Sequence, residues 1–144
     1  MSSYVVDASV AAKWFLPRAN EPLADQAMAL LNGYARGEAR FVVPDLFWTE
    51  MASVFWKAAR QGRWSHNDAR KAMSSAVQQH ISTVGAKLLL EDALEIALTF
   101  DRSVYDSLYL ALAITSKMQF VTADERLANA LAAQLPVKWL GGLA

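Results

Sequence analysis

The sequence predicts an α/β fold: a short, mostly parallel β-sheet with helices on both faces. Three observations carry that expectation. Short apolar runs rich in Val, Phe and Tyr alternate with longer stretches whose apolar residues recur at helical spacing. The runs are apolar throughout, as strands covered on both faces are, and do not alternate with polar residues. No linker, repeat or low-complexity segment interrupts the 144 residues, a length that suits a single domain over 1–144.

Tyr4-Val5-Val6 predicts the first strand, and Asp7-Ala8-Ser9 opens a helical stretch to Leu16 that Pro17 and Pro22 break. Leu23, Ala27, Leu30, Leu31 and Tyr34 recur at helical spacing and predict a helix over 23–34. Phe41-Val42-Val43, ahead of Pro44, is a second strand. A long helix follows from Asp45 to Gln61, stopped by Gly62. Ser65-His66-Asn67-Asp68 spells a capping box that opens a helix to about His80. Residues 81–84 form a third short strand ended by Gly85. Helices are expected over 88–100 and 104–117, a strand over 119–122, a helix over 124–135 and a last strand over 137–140 after Pro136.

Bulk properties exclude several classes. The chain has no cysteine, which rules out disulfides and thiolate metal sites and fits a cytoplasmic location. No apolar run approaches the ~18 residues of a membrane span, so no membrane association is expected. The N-terminus lacks the basic stretch of a signal peptide. A hydrophobic fraction of 54% is high for so small a domain and implies a second apolar surface, covered by another subunit or a partner. Lys and Arg number 14, Asp and Glu 14. Committing four acids to a site leaves ten against 14 basic residues, a surface of +4. Lys57, Arg60, Arg63, Arg70 and Lys71 lie close together and read either as an RNA-binding patch or as a solvated helical face.

Four carboxylates, far apart in sequence, stand where strands end or helices begin: Asp7, Glu50, Asp106 and Asp124. Brought together, they raise one another's pKa, and a hard divalent cation relieves that repulsion. All-oxygen ligands favour Mg²⁺ or Mn²⁺. Each acid has a second reading. Asp7 and Asp124 suit helix N-caps, a role compatible with a metal site. On a helical wheel Glu50 sits at the edge of an apolar arc of roughly 200°, where it points either into a cleft or to solvent. Asp106 carries the strongest signal: from Val104 to Ile114 only it and Ser107 leave the apolar-plus-tyrosine set. Burying it without a partner costs several kcal/mol, although Ser103-Val104-Tyr105-Asp106 also spells a cap. His66 and His80, 14 residues apart on a polar segment, give no zinc site, and no P-loop or serine nucleophile elbow is present.

Together the motifs Val5-Val6-Asp7-Ala8-Ser9, Glu50 on the third helix, Tyr105-Asp106-Ser107-Leu-Tyr-Leu-Ala-Leu-Ala113 and Phe120-Val-Thr-Ala-Asp124-Glu-Arg-Leu127 resemble the PIN-domain ribonucleases. The resemblance is closest to the VapC-type toxins of toxin–antitoxin pairs, and its pieces span nearly the whole chain. It implies a PIN-like three-layer fold in which Asp7, Glu50, Asp106 and Asp124 form an acidic pocket for Mg²⁺ or Mn²⁺. Ser9 and Thr122 are then supporting hydroxyls. It further implies hydrolysis of RNA to 5′-phosphate and 3′-hydroxyl products, a cognate antitoxin as partner, and a homodimer. Ser107 replaces an alanine common after the aspartate. Lys57, Arg60 and Arg63, on or just after the helix bearing Glu50, are the candidate RNA contacts. Trp48, Phe55 and Trp56 are expected to contribute to a protein interface, because the apolar arc is wider than one core contact requires.

Two other classes fit less well. A receiver-like signalling domain needs adjacent acids after the first strand, but Asp7 is followed by Ala8-Ser9; it also needs an acid after the third strand, where Gly85 stands. A PIN-like module without activity is disfavoured by the presence of all four acids.

Overall fold

The structure, a computed structural model, describes residues 1–143. Five strands, β1 (Ser2–Val6), β2 (Ala39–Pro44), β3 (Ser82–Val84), β4 (Gln119–Thr122) and β5 (Val137–Trp139), form one sheet in the order β3-β2-β1-β4-β5. Every pairing is parallel. Parallel neighbours need crossovers, which helices supply. They are α1 (Ala8–Ala11), α2 (Ala24–Ala35), α3 (Leu46–Arg60), α4 (His66–Val77), α5 (Leu90–Phe100), α6 (Val104–Ser116) and α7 (Glu125–Leu131). From β1 the chain moves outward through β2 to β3, then crosses back to β4 and β5 on the other side. Right-handed crossovers running in opposite directions place helices on both faces. The strand order therefore reverses between β1 and β4, and the crevice at their carboxyl ends is where such sheets bind ligands.

The register sets the site. Val6 lies opposite Val121, so Asp7 and Thr122 leave the sheet side by side. The Asp7 N–H still donates to the Val121 carbonyl at 3.0 Å, which fixes the aspartate as the first residue beyond the ladder. Val5, Val6, Phe120 and Val121 have no exposed surface, as expected of strands covered on both faces. Helix α6 is buried along its length from Ser107 to Ala113 and packs on β1, β2 and β4. A helix apolar all round belongs inside.

The expected elements are all present, some with shorter bounds. The stretch expected to be helical to Leu16 is one α-turn, α1, followed by a 3₁₀ turn at Ala12–Trp14. Pro17 restricts Leu16 and prevents further helix. Helix α7 ends at Leu131, where 135 was expected, because the segment must turn within a few residues to bring Pro136 and Val137 beside β4. The capping box at Ser65 is made in both directions: Ser65 Oγ accepts the Asp68 N–H at 3.0 Å and Asp68 accepts the Ser65 N–H at 3.3 Å. Gly62, at φ +76°, ends α3 in the left-handed conformation that favours glycine.

The aromatic arc of α3 divides. Phe55 is 2% exposed and packs edge-on against Phe15 and beside Trp64, so the expectation that it meets a partner is corrected: the 3.6-residue period turns it to the core with Phe47, Met51 and Ala58. Trp48 is half-buried and donates its indole N–H to Thr83 at 3.0 Å. Trp56 remains 56% exposed beneath the Arg60 guanidinium.

Candidate active site

Four elements deliver the four acids to one cleft of about 290 Å³, whose walls include Asp7, Ser9, Glu50, Lys57, Asp106 and Asp124. Asp7 follows β1 and caps α1, with Oδ1 3.5 Å from the Ser9 N–H. Asp124 follows β4 and caps α7, accepting the Leu127 N–H at 3.1 Å. Capping fixes both side chains over the carboxyl edge of the sheet, so the capping role and the cleft position coexist. Asp106 sits in the first turn of α6, its N–H held by Ser103 Oγ at 3.0 Å. Glu50 projects from the half-buried edge of α3.

The hydroxyls of Thr122 and Ser9 lie beside the acids. The fully buried Thr122 hydroxyl donates to Asp7 Oδ2 at 2.7 Å and accepts the Asp124 N–H at 3.1 Å. One side chain thereby ties two acids together. Ser9 Oγ accepts the Ala123 N–H at 3.2 Å, tying α1 to the turn that carries Asp124.

Electrostatically the acids of the cleft are only partly compensated. Burial, opposed by the Thr122 hydrogen bond and reinforced by the Glu50 charge, pushes the Asp7 carboxyl from 3.8 up to about 6. Burial also raises Glu50, against the Tyr109 hydrogen bond and with the charge of Asp106. Asp106 is raised by burial and by Asp124, while the Ser103 hydrogen bond and the Arg102 charge pull it down. The repulsion thus runs as a chain, Asp7 to Glu50 to Asp106 to Asp124. Among the described residues none of the ion pairs engages any of these four acids.

A hard cation fits that donor set: every donor is a carboxylate oxygen, and the repulsion is what a cation would remove. As they stand, no three acids among the described residues are close enough together to enclose an ion.

The candidate RNA contacts separate. Lys57 lines the cleft beside Glu50. Arg60 stacks over Trp56 at 5.1 Å and borders a groove between α3 and α4, while Arg63 pairs with Glu21 at 3.3 Å. The helix carrying Glu50 has several faces, and nearness in sequence did not specify which one each cation takes. Two residues that sequence reasoning did not assign to the site stand at it. Arg102 acts on Asp106 and is set by Asp101, whose left-handed φ of 54° turns the chain from α5 into α6. Tyr109 donates its hydroxyl to Glu50 Oε1 at 2.6 Å and is itself 1% exposed. Its signal was the one tyrosine inside the buried, mostly aliphatic stretch from Ser107 to Ala113.

A family model described as PIN domain matches residues 4–131. Among curated proteins, VapC ribonuclease Mb0985 of Mycobacterium bovis is 34% identical over 113 residues, covering 76% of this chain and 87% of that protein. Among solved structures, PAE2754 from Pyrobaculum aerophilum superimposes with a TM-score of 0.69 at 21% identity, over 97% of this chain and 85% of that one. A toxin–antitoxin complex from Klebsiella pneumoniae gives 0.58 at 14% identity, over 96% of both chains. The chain belongs to the PIN domain family, and its curated relative places it with the VapC ribonucleases.

Proposed function

We propose that this chain, acting as one domain, is an endoribonuclease that depends on Mg²⁺ or Mn²⁺ and forms the toxin half of a toxin–antitoxin pair. The observation that carries the proposal is four carboxylates gathered in one cleft, three of them with pKa values raised by burial and by a neighbouring acid, and none of them in an ion pair among the described residues, at the switch point of a parallel sheet. The ribonuclease name of the curated relative supports RNA as substrate. Asp7, Glu50, Asp106 and Asp124 would hold the cation. A cation bound there would supply neutralising charge and a more acidic water for hydrolysis of a phosphodiester. Thr122 and Ser9 hold the acids in register across β1 and β4. Neither histidine lines the cleft, so no imidazole acts as general base there.

The test is cleavage of a labelled structured RNA by purified protein. Cleavage with Mn²⁺ and none with EDTA is the expected result; equal cleavage in both rejects metal dependence.

Lys57 and Arg102 flank the acids and are the candidate contacts to the RNA backbone. Arg102 makes no ion pair among the described residues, and its buried Nε has no partner. Replacing both with Ala should weaken RNA binding and flatten its salt dependence by about 1.4 in the log–log slope, since single strands lose ~0.7 per neutralised phosphate. Replacing Arg60 and Arg63 should change the slope much less. Fluorescence titration over a range of salt concentrations measures both.

The solved toxin–antitoxin complex, together with an exposed Trp56 over the α3–α4 groove, supports an antitoxin partner seated on that groove. The apolar residues Leu94, Leu98 and Tyr105, left exposed on α5 and α6, suit a second copy in a homodimer. Among the described residues no helix is long and apolar enough to cross a membrane.

A further inference from the structure

Tyr109 is built into the site from three sides. It lies on α6 three residues after Asp106, hence on the same face of that helix. Its ring stacks on Phe120 of β4, with centroids 5.1 Å apart and planes inclined by 19°. Its hydroxyl meets Glu50 Oε1 of α3 at 2.6 Å, a length typical of a charge-assisted O–H···O⁻ bond. Glu50 is a long side chain at the edge of its helix, and among the described residues this is the hydrogen bond that restrains its carboxylate. A glutamate without that bond loses its preferred orientation, and ordering it again opposes cation binding.

We propose that Tyr109 is a positioning residue: its buried phenol holds Glu50 Oε1 and so fixes the orientation of the carboxylate that would bind the cation. The proposal rests on the reading of the acidic cleft as a divalent-cation site. It assigns α6 two tasks, supplying Asp106 as a ligand and orienting the ligand that α3 supplies. Partners of this kind, which hold a ligand without touching the ion, typically change cation affinity by roughly 10- to 100-fold when removed.

Tyr109→Phe keeps the ring and its stacking on Phe120 and removes only the hydroxyl. The measurement is Mn²⁺ affinity by electron paramagnetic resonance of the free ion, with thermal melting of the metal-free protein alongside. A Mn²⁺ affinity reduced by roughly 10- to 100-fold, with melting close to wild type, is the expected result. A second comparison isolates the route. Adding Tyr109→Phe to Glu50→Gln should cost little further affinity, since a residue acting through Glu50 has nothing left to position. Unchanged affinity in Tyr109→Phe overturns the proposal. So does a loss in the double variant equal to the sum of the single losses, which would give Tyr109 a general structural role. Wild-type protein that binds no Mn²⁺ instead removes the reading of the cleft and the inference with it.

Discussion

Asp7→Asn is expected to reduce Mn²⁺-dependent RNA cleavage by on the order of 10³-fold while making the metal-free protein more stable above pH 6. The loss follows because several kcal/mol of transition-state stabilisation runs through the cation, at about 1.4 kcal/mol per factor of ten. The stability gain has the opposite origin. Asp7 titrates near 6 in the folded protein, against 3.8 for an ordinary aspartate. Between those values the folded state keeps a proton that the unfolded chain has released, so stability falls as pH rises from about 4 to about 6. Above pH 6 the full penalty remains, and asparagine removes it. Weaker hydrogen bonding to Thr122 offsets part of the gain, leaving about 2 kcal/mol. Urea unfolding at pH 5 and pH 8, without metal, separates the two proteins. A variant no more stable than wild type at pH 8 shows that Asp7 is not strained by its burial and by Glu50.

Glu21→Ala should destabilise the fold by about 3–5 kcal/mol, the usual cost of stranding one member of a buried pair. Lys13, only 6% exposed, donates to Glu21 Oε2 at 2.8 Å and to the Pro22 carbonyl at 2.7 Å. Arg63 reaches the other Glu21 oxygen at 3.3 Å. One carboxylate therefore clamps the turn after α1, the proline-bounded loop and the end of α3. Without it a buried ammonium keeps a single carbonyl. For a chain of this size the melting temperature should drop by roughly 10 °C. Adding Lys13→Met should recover much of the loss, because an apolar side chain of similar length has no charge to compensate. Calorimetry that shows Glu21→Ala melting within a degree of wild type would dismiss the clamp.

The fold was largely legible because its strands are short, apolar and separated by helical periods. Val5-Val6 and Phe120-Val121 announced the central strands, and the residues just beyond them, Asp7 and Thr122, fell where a parallel sheet collects its ligands. The acids were legible individually, since each interrupts an apolar stretch or opens a helix. Facing was harder to read. Arg60 and Arg63 lie close in sequence to Lys57, yet one stacks on Trp56 and the other joins Glu21, a residue 42 positions away. Phe55 and Trp56 are neighbours in the same apolar arc, and one is core while the other is surface. Such outcomes depend on which elements pack above the helix, and a helical wheel contains no neighbours. Tyr109 shows the same limit. The pattern made it a core aromatic, which it is, but its partner Glu50 is 59 residues away and only the tertiary fold brings them together.

The central claim is that four acids from four elements form one divalent-cation site. Crystals soaked in Mn²⁺ and measured for anomalous scattering test it most directly. The account predicts an anomalous peak within coordination distance of carboxylate oxygens from at least two of Asp7, Glu50, Asp106 and Asp124, and loss of that peak in Asp106→Asn. A cleft empty of Mn²⁺ at saturating concentration, or a peak unaffected by Asp106→Asn, would contradict it.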